Sequence, residues 1–272
     1  MDLIVTTAGQ PSACVVQTAK QMAAALNAPF VERNRQSLAA IREQYKVSNI
    51  IVAAVDGPIV HTSNGEYFFH LSMAELRIKN LLNGKHDHMV AAMGLAAGMS
   101  VLDCTLGLAT DAIVASFVTG ESGQVVGLES SPIIALITRL GLQNFALEPQ
   151  PEYDITSALR RIKVENADYF QYLLAVPDCS FDVVYFDPMF RQPIYKSSNL
   201  QPIRNLADNR SLTPEAVEQA CRIARQKVVI KEAAGSGEFS RLGITTIVGG
   251  KYSSIQYGII DCHADKAAGG QL

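Results

Sequence analysis

The spacing of apolar residues changes character near residue 70. Before that point, short apolar stretches alternate with polar breaks. Leu3–Thr7 reads as a strand, Ala13–Leu26 as a helix ending before Asn27-Ala28-Pro29, and Ser37–Gln44 as a second helix. NIIVAAV and IVHTS, parted by Asp56-Gly57-Pro58, read as a hairpin, and Asn64-Gly65 makes a second tight turn into EYFFHL. His61 and His70 fall in these strands and read as ordinary strand histidines. Leu71–Leu95 suggests one or two linking helices broken at Asn83-Gly84. From Met99 onward, short continuous apolar runs alternate with helices: SVLDCT, QVVGLES, IKVEN, FDVVYFDP and KVVIKEA, then a closing pair around TTIVGG and IQYGIID.

Continuous apolar runs suit strands buried on both faces, and alternation with helices implies right-handed crossovers. The expected fold is therefore α/β: a Rossmann-like, mostly parallel, doubly wound sheet. The short Gly-rich link of the closing pair predicts an antiparallel terminal hairpin at its edge. The expected organisation is a small N-terminal α/β domain over 1–70, linking helices over 71–98, and a Rossmann-like domain over 99–264. The final AAGGQL reads as a frayed end.

Composition narrows the class. With 272 residues, 48% hydrophobic and 18% charged, the chain is too apolar for disorder. It has no run of about 18 apolar residues, so no membrane span is expected. MDLIVTTAGQ lacks the basic start and cleavage site of a signal peptide. The five cysteines Cys14, Cys104, Cys179, Cys221 and Cys262 are odd in number and without zinc-like spacing, so they read as reduced core thiols of a cytoplasmic protein. A net charge of −3 argues against a whole-surface nucleic-acid field but leaves room for a local basic site.

Ligands of open α/β sheets collect beyond the carboxyl ends of the strands. The first strand of the large sheet ends in Asp103-Cys104-Thr105-Leu106-Gly107-Leu108-Ala109-Thr110-Asp111. Gly107 lets a ligand approach the backbone, and Asp111 falls in the first helical turn, where a carboxylate suits the dipole. The loop lacks the second and third glycines of GxGxxG. A diphosphate wants bare amides, whereas this loop brings Asp103 and Asp111 toward the ligand, which suits a sulfonium cation with an amino-acid tail. Glu129, ending the second strand before Ser130, Ser131 and Pro132, is placed to accept two ribose hydroxyls. Asp168, in Glu165-Asn166-Ala167-Asp168-Tyr169 after the third strand, is placed near an adenine amino group. For each of these acids the competing reading is a cap or turn carboxylate.

The fourth strand runs into Asp187-Pro188-Met189-Phe190. An exocyclic amine is a poor nucleophile because its lone pair is delocalised into the ring. The Asp187 carboxylate and the Pro188 carbonyl can accept its two N–H hydrogens, which aims the lone pair and favours the charge that develops on transfer. Phe190 can stack on the base, worth roughly 1–3 kcal/mol. A plain strand-ending turn is the competing reading. The following stretch to Arg210 carries Arg191, Lys196, Arg204 and Arg210 against Asp208, so it reads equally as a phosphate-binding loop or a solvated one. Lys231, past the fifth strand, is expected at the same edge, toward phosphate. His86, Asp87 and His88 read as surface residues rather than a metal site, and no metal is expected.

In this order VLDCTLGLATDA, GLESSP, VVYFDPMF and VVIKEA resemble the small-subunit (16S) ribosomal RNA guanine-N2 methyltransferase J family, class I S-adenosylmethionine-dependent methyltransferases, over roughly residues 65–260. The resemblance implies that S-adenosylmethionine is held at Thr110 and Asp111, Glu129 and Ser130, Ala167 and Asp168, and Asp187, with Asp103, Thr105 and Gly107 in the same loop. It implies ribosomal RNA as partner; from the residues themselves, Asp187, Pro188 and Phe190 are the candidate catalytic groups, and Phe190, Arg191, Lys196 and Lys231 the candidate contacts to an RNA acceptor. The chain departs from the family pattern at Thr110, where the family has Arg, and at Arg191, where it has Pro. Its lysine-rich stretch after the motif is thin, and the first 65 residues do not match. A methyltransferase for a small molecule or protein side chain is the nearest rival, and a non-catalytic scaffold the more distant one. The missing glycines disfavour a nicotinamide dehydrogenase. The N-terminal unit is free to orient RNA, to pair two copies as a dimer, or to cover the sheet.

Overall fold

The computed structural model describes residues 2–71, 73–145, 153–188 and 206–262. The chain opens with β1 (Leu3–Thr7), α1 (Ala13–Ala25), α2 (Leu38–Tyr45), β2 (Asn49–Ala53), β3 (Ile59–Thr62) and β4 (Gly65–Phe68). These strands form one sheet in the order β1-β2-β3-β4, with β1 and β2 parallel and the later pairs antiparallel. All five residues of β1 are buried, as a strand of unbroken apolar and threonine residues requires. Ser12 and Ser37 cap α1 and α2 by accepting from Val15 N and Ala40 N. Ile4, Val31, Ile41, Ile50 and Val52 close the core of this sheet.

Next come α3 (Ala74–Leu82) and α4 (His88–Met93), separated by the expected break at Asn83-Gly84. The alternating part follows as β5 (Ser100–Asp103), α5 (Thr110–Thr119), β6 (Gln124–Glu129), α6 (Pro132–Asn144), α7 (Ile155–Arg161), β7 (Ile162–Asn166), α8 (Tyr169–Ala175) and β8 (Phe181–Phe186). It closes with α9 (Pro214–Ile223), β9 (Ala224–Ala233), α10 (Glu238–Arg241), β10 (Thr246–Val248) and β11 (Ile255–Asp261).

The seven-stranded sheet has the order β10-β11-β9-β8-β5-β6-β7. β7, β6, β5, β8 and β9 are parallel, and β11 runs antiparallel to both β9 and β10. The Rossmann-like sheet with its terminal hairpin is thus present. β5 lies between β6 and β8, so strand order reverses at β5 and the carboxyl ends of these three strands form the switch point where α/β sheets bind ligands.

Among the described residues, two compact units gather 2–70 with 131–145 and 206–207, and 71–130 with 153–188 and 208–262. Helix α6, which the strand–helix alternation attaches to the large sheet, is grouped with the first unit. The reason is steric: a Cβ at Gly141 would sit 2.0 Å from Phe69 Cγ, so the bare glycine admits the Phe69 ring against the helix. Phe145 adds an edge-on ring contact with Phe69 at 5.6 Å. In the second unit, Leu102, Val126, Leu128, Val184, Phe186, Val228 and Ile230 from four parallel strands share one core with α9. Among the described residues no helix is long and apolar enough to cross a membrane.

Candidate active site at the strand switch point

The loop after β5 is held by backbone and carboxylate contacts before any ligand is considered. Leu106 N donates to Leu128 O at 2.9 Å, and Gly107 N donates to the Glu129 carboxylate at 3.2 Å. Gly107 has φ +51° and Ala109 φ +62°, so two left-handed residues fold the loop into the start of α5. For Ala109, which carries a Cβ, that conformation is strained. Gly127 completes the seat: a Cβ there would lie 2.3 Å from Leu106 Cδ1. On the other side, Asn166 Nδ2 donates to the carbonyls of Glu129 and Ser130 at 2.8 and 3.1 Å, and Ala167 N donates to Glu129 O. The tips of β6 and β7 are thereby stapled.

Beneath this loop lies a chain of charges, buried at Asp111 and half-buried at its other members. Asp111, 8% exposed, accepts from Arg77 Nη1 through Oδ1, and from Tyr185 Oη at 2.7 Å and Lys231 Nζ at 2.9 Å through Oδ2. Lys231 Nζ also donates to Asp187 Oδ2 at 2.7 Å. Arg77 reaches the far end, donating twice to Asp87 at 2.8 and 3.0 Å. Asp87 is itself the cap of α4, accepting from Met89 N and Val90 N. The sequence Asp87–Arg77–Asp111–Lys231–Asp187 therefore alternates in sign, which is what makes the partial desolvation of these charges tolerable.

Titration follows from these contacts. Burial works to raise the Asp111 carboxyl, but the Lys231 and Arg77 charges outweigh it and hold the group below its ordinary range. For Asp187 the balance goes the other way: burial raises it, and Lys231 offsets only part of that. Burial works to lower the Lys231 ammonium, but Asp187 and Asp111 keep it firmly protonated. Asp103, 3% exposed, is pushed up to about 8, first by burial and then by Asp111 and Asp187, against the lowering effect of the Thr105 N–H that it accepts at 2.9 Å.

The structure brings Asp103, Thr105, Gly107, Thr110, Asp111, Glu129, Asp187 and Lys231 to one end of the sheet, with Ser130, Ala167 and Asp168 at the neighbouring strand tips. Thr105 Oγ1 accepts from Asp187 N at 2.6 Å, which ties the cofactor-type loop to the Asp-Pro turn. Lys231, expected toward phosphate, lies instead between two aspartates with 20% of its side chain exposed. Asp168 caps α8 by accepting from Gln171 N and is ion-paired with Arg210, which also holds Asp208 and lies over the Tyr169 ring at 5.8 Å. Phe190, Arg191 and Lys196, with Met189 and Arg204, lie outside the described residues. His86 and His88 stack edge-on at 4.7 Å while Asp87 faces Arg77.

Three site residues escape the sequence reading: Arg77, Tyr185 and Asn166. Tyr185 carried a usable signal, because a hydroxyl in the apolar run VVYF needs a buried partner and aspartates follow the neighbouring strands. Arg77 sits in AELRIKNLL, where one more cation on a polar helix has no distinguishing neighbour.

A family model of SAM-dependent methyltransferases matches residues 66–251. The Bacillus subtilis (strain 168) protein YpiP is 35% identical over 257 residues, covering 94% of this chain and 98% of its own. Ribosomal RNA small subunit methyltransferase J of Buchnera aphidicola subsp. Schizaphis graminum is 27% identical over 175 residues, covering 62% of this chain and 67% of its own. The crystal structure of the SAM-dependent methyltransferase NGO1261 from Neisseria gonorrhoeae superposes with a TM-score of 0.64 at 14% identity, covering 98% of this chain and 99% of that one.

Two stability measurements test the charge chain. Replacing Arg77 by Met leaves Asp87 and Asp111 buried without their shared cation, so urea unfolding should show a loss of about 3–5 kcal/mol; a loss below ~1 kcal/mol would contradict the network. The unfolded Asp103 carboxyl ionises near its ordinary value, about 4, and the folded one only near about 8. Between these, the unfolded chain releases a proton that the folded chain keeps, so the contribution is full below about pH 4 and is lost as pH rises to about 8. Asp103→Asn should therefore raise the melting temperature at pH 8, with the gain vanishing toward pH 4.

Proposed function

The chain belongs to the SAM-dependent methyltransferase family, and on that premise we propose that it methylates an exocyclic amine of a nucleobase, guanine N2 of ribosomal RNA above all. As a methyltransferase it draws its methyl group from S-adenosylmethionine. The acceptor is the proposed part, and it rests on Asp187.

The residues at the switch point suit that cofactor. Its carrier is a sulfonium cation with a ribose and an amino-acid tail, and the acidic character of this end of the sheet suits it better than a diphosphate. Glu129 at the tip of β6 suits the ribose hydroxyls. The positive φ of Gly107 and the first turn of α5 at Thr110 and Asp111 open the backbone to close approach. Ser130, Ala167 and Asp168 are assigned to the nucleoside side. The Asp111 carboxylate, fully engaged by Arg77, Tyr185 and Lys231, acts by holding those three groups in place. Bound there, S-adenosylmethionine supplies an electrophilic methyl group; the rest of the chemistry belongs to the chain.

Asp187 carries the reading. Its N–H is fixed by Thr105 and its Oδ2 by Lys231, while Oδ1 has no partner among the described residues. One oxygen is anchored and one is open, at a turn whose next carbonyl belongs to Pro188. An amine placed there gives one hydrogen to Asp187 Oδ1 and the other to the Pro188 carbonyl, leaving its lone pair directed at the methyl group. The ionised carboxylate then stabilises the positive charge that grows on nitrogen. Lys231 is a positioning residue: it fixes the Asp187 side chain and favours its ionised form. Phe190 is assigned to stacking on the base, and Arg191 and Lys196 to backbone phosphates. An RNA acceptor also accords with the likeness to the Buchnera ribosomal RNA enzyme.

The test is methylation of small-subunit ribosomal RNA lacking base methylation, followed by nucleoside mass spectrometry. N2-methylguanosine is expected, and Asp187→Asn should lower kcat by about 10²–10³, more than it lowers cofactor affinity. Full activity in Asp187→Asn would overturn the assigned chemistry. Methylation of a protein or a small molecule with none in RNA would overturn the acceptor.

A further inference from the structure

The first unit contains a cavity of its own, about 800 Å³, at the carboxyl end of β1. That volume falls in the range of small-ligand sites, roughly 300–1,000 Å³. One wall is apolar, formed by Pro11, Val16 and the half-buried Phe30 ring, and the other carries Thr7, Arg33 and Arg35. Thr7, at the end of β1, is only 2% exposed and lines this cavity with a side chain that carries a hydroxyl.

The cations here are arranged rather than scattered. Arg33 Nε donates to Gln36 O at 2.7 Å and Nη1 donates to Thr7 O at 3.3 Å, so two backbone carbonyls fix the guanidinium at the end of β1. That leaves Nη2 for a ligand. Arg35 is exposed, makes no such contact and is held at φ +61°, two residues along the same turn. The thirteen-residue helix α1 starts at the cavity, adding the partial positive charge of its N-terminus. Lys20 Nζ lies 5.7 Å from the centroid of the Phe30 ring, bringing a further cation to the apolar wall. One acid, Glu32, also lines the cavity. It opposes a bare inorganic anion but supplies an acceptor for ribose hydroxyls or an exocyclic amine.

We propose that this cavity binds a nucleoside phosphate, its phosphate on Arg33, Arg35 and the Thr7 hydroxyl and its base against Phe30. The ligand is either a free nucleotide or one unit of an RNA chain. Every residue named belongs to the first unit, and none is among those assigned to methyl transfer.

Two probes separate the sources: adenosine 5′-monophosphate, followed by calorimetry, and a short fluorescein-labelled single-stranded oligoribonucleotide, followed by anisotropy at low salt. The protein used is the full chain, as wild type, Thr7→Val and Arg35→Glu, with circular dichroism confirming that each variant is folded. Arg35→Glu should weaken binding roughly tenfold or more, the scale of one lost charge-assisted contact. Thr7→Val, which keeps the shape and removes the hydroxyl, should weaken it several-fold. Saturable binding of the mononucleotide with those losses identifies a free-nucleotide site. Binding of the oligonucleotide alone with the same losses identifies an RNA-chain site. Binding of neither probe, or binding indifferent to both substitutions, would overturn the proposal whatever the protein methylates.

Discussion

The ion pairs that Lys231 makes with Asp111 and Asp187 impose the arrangement on which the site depends. Lys231 sits on β9, Asp187 follows β8, and Asp111 opens α5 beyond β5, so one ammonium joins three neighbouring strands at their carboxyl ends. A lone cation at that depth would lose its proton or unfold its surroundings. Two aspartates prevent this, and Asp111 carries the second negative charge only because Arg77 and Tyr185 share it. Such a network is not an efficient source of stability, since an apolar replacement of similar volume often does as well. What it provides is geometry: the carboxylate of Asp187 is fixed in place with one oxygen turned to other use.

Most of the fold follows from apolar periodicity alone. Runs such as VVGLE and VVYF are too short for buried helices and too uniformly apolar for a half-exposed sheet, and they became the parallel strands β6 and β8. The terminal hairpin was equally legible, because Gly249 and Gly250 leave no room for a crossover. The grouping of α6 with the first unit was not. It depends on the Phe69 ring lying against Gly141, a contact between residues over seventy positions apart, and no local pattern records it. Membership of the methyltransferase family, legible in the order of four strand-end motifs, agrees with the family match over 66–251.

Within the site, residue types at strand ends were readable and their partners were not. Asp103, Glu129 and Asp187 stand out because a carboxylate that ends a buried strand needs a reason, and Asp111 because it opens the helix that follows. Their division of labour emerges only in three dimensions. Asp111 is spent on three donors, Asp168 caps α8 and holds Arg210, and Lys231 faces inward rather than toward a phosphate. Arg77 comes from a linking helix whose sequence gives no hint of the sheet it serves. Long-range charge pairing of this kind leaves almost no trace in a single sequence, because one arginine on a helix looks like any other.

Under the proposed function, Lys231 acts through Asp187, keeping its carboxylate anchored and ionised for the acceptor amine. The most direct measurement is the pH dependence of kcat for the wild type and for Lys231→Met, with Lys231→Arg as the conservative variant. Activity that needs ionised Asp187 falls as pH drops through the Asp187 pKa, and loss of the neighbouring cation raises that pKa. The account therefore predicts that the acid limb moves to higher pH in Lys231→Met and returns toward the wild-type position in Lys231→Arg. An acid limb that stays in place in Lys231→Met would contradict it.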